Sequence, residues 1–235
     1  MAAMTASLLV LILLVTTMAM LSSQDIVKNT FNAGSLDITL IEPKWHPENA
    51  QGILPGDYLD KDPGVVSNEE LDVYVFLKVS IPCDKLIIED VSGNALTNGT
   101  ADLPLFKLVS DDQKEADTNA LQKYHDDVWK LLDDDNNGYT YYTPSTDDNC
   151  GEYVYVYAYL GGNAVTLREL QKDEQTSKPL FDKVYVSNFN ENFNVKASRD
   201  YSVRVEAYGI QTRYLGDGGE PVNEPKAVWQ KIISN

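Results

Sequence analysis

Between Leu71 and Ile81 every second residue is aliphatic. Leu71, Val73, Val75, Leu77, Val79 and Ile81 fall on one side, and Asp72, Tyr74, Phe76, Lys78 and Ser80 on the other. A helix would scatter these residues around its axis, whereas a strand sends alternate side chains to opposite faces. So long a run of period two commits this stretch to a β-sheet with at least one buried face.

The same signal recurs along the chain. Ser35 to Glu42 alternates, with Leu36, Ile38 and Leu40 opposed to Asp37 and Thr39. Lys85 to Glu89, Leu103 to Val109, Glu152 to Leu160, Lys183 to Ser187 and Tyr201 to Arg213 read as further strands, separated by turns such as Ser92-Gly93-Asn94 and Gly161-Gly162-Asn163. Three stretches carry helical spacing instead. In Thr118 to Leu132, the residues Leu121, Tyr124, Val128, Leu131 and Leu132 line one side, with Asp117 or Thr118 as N-cap. Val165 to Lys172 is a shorter candidate. Glu224 to Ile233 places Pro225 in the first turn and Val228, Trp229, Ile232 and Ile233 on the apolar side. The connection from Pro43 to Glu70 is too long for a casual loop, and its Trp45, Ile53, Leu54, Tyr58, Val65 and Val66 suit a segment laid across a sheet. The fold class expected is all-β: a jelly-roll-like β-sandwich with a few inserted and terminal helices.

The N-terminus departs from this pattern. Ala6 to Leu21 carries no charge, and its apolar core, Leu8 to Val15, is shorter than the roughly twenty residues that span a bilayer as a helix. It ends in Thr17-Met18-Ala19, small side chains at the positions that a signal peptidase accepts, which places cleavage after Ala19. No Lys or Arg precedes Lys28, although an export signal usually opens on positive charge. A retained anchor is the alternative. Export divides the chain into a signal, residues 1–19, a short segment, 20–34, and a domain, 35–235.

Acidic residues outnumber basic ones 36 to 19, for a net charge of −17. Nucleic acid is excluded as a partner on that balance, because phosphate neutralisation needs a basic footprint. Cys83 and Cys150 are the only cysteines. In an exported chain such a pair reads as one disulfide, worth ~4 kcal/mol for a loop of this size. Two buried thiols are the other reading. The spacing fits no zinc pattern.

Asp133-Asp134-Asp135-Asn136-Asn137-Gly138 fits the first half of a calcium loop, with Asp133, Asp135 and Asn137 as candidate Ca²⁺ ligands. The twelfth position, where a bidentate Glu belongs, is Pro144. A solvated acidic turn closing the preceding helix is the simpler reading. Catalytic signals are absent: His46 and His125 are the only histidines, and there is neither H-E-x-x-H nor G-x-S-x-G. No catalytic residue is assigned. Tyr153, Tyr155, Tyr157 and Tyr159 share one face of a strand. They form either an aromatic platform for a glycan or a neighbouring subunit, or ordinary cross-strand packing, which tyrosine favours.

The run Asn29-Thr30-Phe31-Asn32-Ala33-Gly34-Ser35-Leu36-Asp37-Ile38 resembles the strand entry of the TasA/camelysin family of exported bacterial proteins, which are processed by a dedicated signal peptidase. Lys61-Asp62-Pro63-Gly64-Val65-Val66-Ser67-Asn68, followed by Val73 to Val79, is similar to the segment before that family's central strand. Tyr201 to Gln211 with Ala227 to Trp229 resembles its closing strand and terminal helix. The likeness implies a jelly roll secreted to the cell surface or extracellular matrix, where subunits join head to tail into biofilm-matrix fibres. The mature N-terminal segment of one copy would complete the sheet of the next, with Met20, Ser22, Gln24, Ile26, Val27, Lys28, Asn29 and Phe31 as the donor strand. Partners would be further copies of the chain, with other matrix proteins or an assembly adaptor as additional candidates. The resemblance also admits a cell-surface metallopeptidase, for which the sequence supplies no zinc motif. A Ca-dependent glycan-binding sandwich is the third expectation.

Overall fold

A computed structural model describes residues 36–46, 53–90, 92–98, 101–111, 123–132, 140–146, 149–162, 165–189, 201–212 and 222–234. The longest strand, β4 (Val73–Lys85), is the run with which the alternation is clearest. Around it lies a mixed-length antiparallel sheet in the order β11–β4–β9–β7, where β7 is Trp129–Leu131, β9 is Gly151–Tyr159 and β11 is Arg204–Gln211. Two short strands extend it: β5 (Asp102–Pro104) pairs with the end of β4 beyond β11, and β8 (Tyr141–Thr143) pairs with β9.

The opposing layer has two parts. One is the three-stranded sheet β2–β10–β6, made of Tyr58–Asp60, Lys183–Val186 and Phe106–Val109; the other is the antiparallel pair β1 (Ile38–Ile41) and β3 (Gly64–Ser67). The fold is therefore an all-β sandwich, as the alternation requires. Its main core lies between the layers and takes Val73, Val75, Leu77, Val79 and Ile81 from β4, Tyr157 and Tyr159 from β9, and Val205 and Ala207 from β11.

The intervening residues of the same strands are not all solvated. Tyr74 and Phe76 of β4, with Val156 and Ala158 of β9, form a second apolar cluster on the outer face of the long sheet. It is covered by α1 (Pro225–Ser234), which contributes Val228, Trp229 and Ile232. Trp229 lies 5.3 Å from Phe76 and 5.1 Å from Tyr208 between ring centroids. Glu224 caps this helix: its carboxylate accepts the Lys226 and Ala227 N–H groups at 3.2 and 2.7 Å, satisfying donors that the first turn leaves open. The terminal helix thus forms where Pro225 and the apolar spacing place it.

Two other helical readings are corrected. Of Thr118 to Leu132, residues 123–132 are described and contain one turn followed by β7. The Val128 and Trp129 N–H groups donate to the His125 carbonyl at 3.1 and 2.8 Å, and the chain then extends along β9. The spacing of Tyr124, Val128 and Leu131 arises from a turn and a strand that share a core, not from a helix. Val165 to Lys172 is also extended. It wraps the start of β4, where Val73 and Leu170 exchange backbone hydrogen bonds at 3.0 and 2.9 Å, and it sends Leu167 to the outer cluster and Leu170 to the main core.

The run Leu103 to Val109 divides at Leu105. β5 belongs to the long sheet and β6 to the opposing layer, so the chain changes sheets there, and the Leu105 N–H is satisfied by the Pro82 carbonyl at 2.9 Å. Lys85 to Glu89 is likewise shared between the end of β4 and isolated bridges at Ile88 and Glu89. The Pro43–Glu70 connection is not laid across a sheet: its described residues supply β2 and β3, which are themselves strands of the opposing layer.

Candidate functional site: the β11 edge and its surroundings

Residues at the rim of a sheet keep backbone donors and acceptors directed away from the ladder, which makes an edge a template for another strand. Among the described residues six strands end the three sheets. β2 and β7 have three residues each, and β1, β3 and β6 have four; by contrast β11 has eight. Among the described residues β11 pairs with β4 alone, from Arg204 opposite Ser80 to Gln211 opposite Val73. β6 is partly covered at its other side, because Lys123 N–H donates to the Leu108 carbonyl at 3.1 Å. The long edge is β11.

Its side chains divide as the pleat requires. Val205 and Ala207 enter the main core, and Arg204, Glu206, Tyr208 and Ile210 lie half-buried on the outer face. The charged members are engaged across the sheet: Arg204 with Glu152, and Glu206 with Lys78 at 3.1 Å. At Gly209 the opposing layer comes close. A Cβ there would meet Ile38 Cδ1 at 3.1 Å, so β1 rests against β11 with the Ile38 side chain over the glycine.

Where β1 begins, a set of polar contacts ties it to the end of β11. Glu69 accepts the Asp37 N–H at 2.7 Å through one oxygen and the Gln211 side-chain amide at 3.2 Å through the other. Asn68 donates to the Asp37 carboxylate at 3.1 Å and to the Thr39 hydroxyl at 3.0 Å. Residues 36 and 37, to which the N-terminal segment is joined, are therefore fixed beside the far end of the long edge. The proposed donor residues Met20, Ser22, Gln24, Ile26, Val27, Lys28, Asn29 and Phe31 lie outside the described residues, as do the calcium candidates Asp133, Asp135 and Asn137.

The lysine-aspartate motif at residues 61 and 62 has a structural role that sequence alone did not reveal. Lys61 is 1% exposed, and its ammonium lies 2.9 Å from the Glu42 carboxylate and 4.6 Å from the centroid of the Trp45 ring. Asp62 accepts the Lys44 backbone N–H at 2.8 Å. Together they hold the turn that follows β1. Next to them, Asp182 joins four pieces of chain: its carboxylate meets His125 Nε2 at 2.7 Å, accepts the Asp111 N–H at 2.8 Å and faces the Lys44 ammonium at 3.7 Å, while its carbonyl accepts Lys61 N–H at 3.1 Å.

The two carboxyls respond oppositely to this setting. Burial pushes Asp62 upward and outweighs the Lys44 contacts, with the neighbouring Asp182 charge adding to the rise. Burial also acts on Asp182, but there the Asp111 N–H, His125 and Lys44 prevail and hold it below the ordinary carboxylate range. His125 is thus a buried partner in a structural network, and His46 is exposed. Among the described residues no group of three or more His, Cys, Asp or Glu side chains is placed to hold a metal ion.

The tyrosines of β9 form a ladder that runs from surface to core. Tyr142 of β8 stacks on Tyr153 at 4.8 Å and Tyr153 on Tyr155 at 6.4 Å; Tyr155 meets Tyr157 tilted at 6.4 Å, and Tyr124 meets Tyr157 edge-on at 4.8 Å. Tyr157 and Tyr159 are fully buried, and burial drives the Tyr157 phenol well above its ordinary value. Of these rings Tyr142 is the exposed one, and its hydroxyl is held by Asp102. The ladder's centre is core packing.

A shallow groove of about 780 Å³ lies beside the start of β4, lined by Tyr74, Arg168, Glu169, Lys172, Glu174 and Asn223 among others. Both of its cations are engaged, Arg168 with Glu174 in the wall and Lys172 with Glu70 beside it, and Glu169 accepts the Tyr74 hydroxyl at 3.3 Å. Burial first, then the Glu169 charge, raises the Tyr74 phenol to about 12. No helix among the described residues is long and apolar enough to cross a membrane. No family model, curated protein or solved structure matches the chain.

Proposed function

We propose that this chain is a secreted structural subunit of an extracellular fibre, in which residues 20–34 of one copy add a strand to the β11 edge of the next. The observation that supports this reading is the length of that edge: eight residues with a single ladder partner among those described. An incoming extended segment would gain main-chain hydrogen bonds along β11, and its alternate side chains would read the surface beside it. Asp37, to which the segment leads, is tied to the end of β11 through Glu69, and this supports the reading. A strand that serves the next copy rather than its own makes a head-to-tail contact, and such contacts grow as filaments. Cleavage after Ala19 would release the donor, so export and assembly are linked. The resemblance of residues 29–38, 61–68 and 201–211 to the TasA/camelysin family points the same way.

The test compares the chain beginning at Met20 with one lacking residues 20–29, by electron microscopy of equal concentrations. Filaments are expected only from the former. In parallel, a synthetic peptide of residues 20–34 added to the shortened chain is expected to slow amide hydrogen exchange along β11. Equal filament formation by both chains would refute donor-strand assembly. Peptide protection elsewhere, with β11 unaffected, would retain a donor but remove β11 as its acceptor.

A further inference from the structure

The phase of the β4 ladder fixes which backbone groups β11 leaves open. Along a strand of an antiparallel sheet, successive residues turn their N–H and C=O alternately to the two sides. The Pro82 carbonyl of β4 accepts the Leu105 N–H, just after β5, at 2.9 Å. The Asp72 carbonyl, one residue before β4, accepts the Thr212 N–H, one residue after β11, at 3.0 Å. Both contacts lie on the side of β4 that β5 and β11 share. Val73, of the other parity, gives both its N–H and its carbonyl to Leu170 and so faces the opposite side. All three contacts agree: the even-numbered residues of β4 face β11. Arg204, Glu206, Tyr208 and Ile210 lie opposite Ser80, Lys78, Phe76 and Tyr74, and their backbone groups belong to that ladder. Val205, Ala207, Gly209 and Gln211 turn theirs to the open side, where no hydrogen bond from another described residue reaches them.

Sheet edges are normally guarded by proline, a bulge, an inward charge or short length. β11 carries none of these. It runs for eight residues without proline, and its register with β4 is unbroken. Its inward residues are Val205, Ala207 and Gly209, while the charges of Arg204 and Glu206 lie on the outer face, engaged with Glu152 and Lys78. The other two long strands, β4 and β9, are paired on both sides. We infer that β11 takes its partner through four residues, Val205, Ala207, Gly209 and Gln211, each offering one N–H and one C=O to an extended segment. This rests on the fibre reading, in which that segment belongs to a second copy of the chain. The groups recur at every second residue, the repeat of a strand, whereas a helix has already used its own backbone groups internally. Alternate side chains of the partner then lie on the inner side, beside Val205, Ala207 and Gly209, and a shift of one residue would exchange its two faces.

Amide hydrogen exchange, read residue by residue on the exported chain as monomer and as filaments, tests this; the filaments are dissolved in an exchange-quenching solvent for the readout. In the monomer, the Arg204, Glu206, Tyr208 and Ile210 amides are expected to exchange slowly and the Val205, Ala207, Gly209 and Gln211 amides fast. In filaments the alternation is expected to vanish, with all eight slow. Ala207→Pro removes one outward N–H and no ladder bond, so it should stay folded and lose filaments. If that variant does not fold, the exchange comparison decides alone. Three results would each overturn the inference and leave a fibre standing: filaments in which the four amides still exchange fast, a monomer in which they are as slow as their neighbours, or a folded Ala207→Pro that assembles like wild type. A wild-type chain that forms no filaments would instead remove the fibre reading, and this inference with it.

Discussion

Replacing Lys61 by Met tests the buried charge pair that holds the turn after β1. Met keeps most of the unbranched stem and its volume, so the change isolates the ammonium. That ammonium is 2.9 Å from Glu42, with side chains only 2% and 9% exposed, so water cannot replace the lost partner without opening the turn. Removing one member of a buried pair costs about 3–5 kcal/mol, because the remaining charge is stranded. The cation–π contact with Trp45 contributes about 1–2 kcal/mol of that total. With a urea dependence of about 2 kcal/mol per molar, the unfolding midpoint of Lys61→Met should fall by about 1.5–2.5 M. The double variant Lys61→Met/Glu42→Leu removes both charges, and a hydrophobic replacement of a buried pair is often neutral. It should recover most of the loss, with a coupling energy above about 2 kcal/mol. The reasoning fails if the single variant loses under about 1 kcal/mol, or if the double variant loses the sum of the two singles.

Two further perturbations probe the neighbouring contacts. Asp182 has its folded pKa depressed, so its charge stabilises the fold fully above the unfolded carboxylate value and loses that contribution as pH falls through the folded value. Urea midpoints of wild type and Asp182→Asn should therefore differ by a constant amount above about pH 5 and converge on acidification; a gap that widens in acid would contradict the sign. Asp62, which burial raises, contributes oppositely: its cost is present at neutral pH and is relieved as pH falls through its folded value. Gly209→Val presses a branched side chain on Ile38, whose Cδ1 would lie 3.1 Å from the new Cβ and which is itself buried. Overpacking costs about 1–3 kcal/mol, against a gain in strand propensity of at most about 1 kcal/mol. A lower unfolding midpoint is expected, and a higher one would mean that β1 does not rest on this glycine.

The alternation in β4 was readable because its two faces differ in kind, aliphatic on one and mixed on the other. What the period could not reveal is that the mixed face is itself half covered. Tyr74 and Phe76 count as the outward set of a half-buried strand until Trp229, far along the chain, is seen above them. The helical spacing of Tyr124, Val128 and Leu131 misled for a related reason. A turn followed by a strand can place residues three and four apart on one core, and no cap or break in the sequence separates that from a helix. Leu103 to Val109 reads as one strand because each half alternates; the change of sheet at Leu105 is set by partners on β4 and β10.

The candidate site was less legible than the fold, and the difference lies in what each depends on. Val205, Ala207 and Gly209 give β11 the same pattern whether a strand lies on one side of it or on both. Edge status is a property of pairing, and pairing is decided by residues distant in sequence. The contacts that tie residue 37 to the end of that edge have the same character. Glu69 joins Asp37 to Gln211, and neither the acid nor the amide carries a local signal. Lys61 shows the converse. Its place in a recognisable stretch marks it as distinctive, yet the reason is the burial of its charge against Glu42 and Trp45, which only the folded turn reveals. A charged residue that is costly to bury and specific in its partner fixes how β1 ends. The position of β1 in turn decides what lies against β11, so the geometry of the proposed acceptor edge is held by an ion pair that does not touch it.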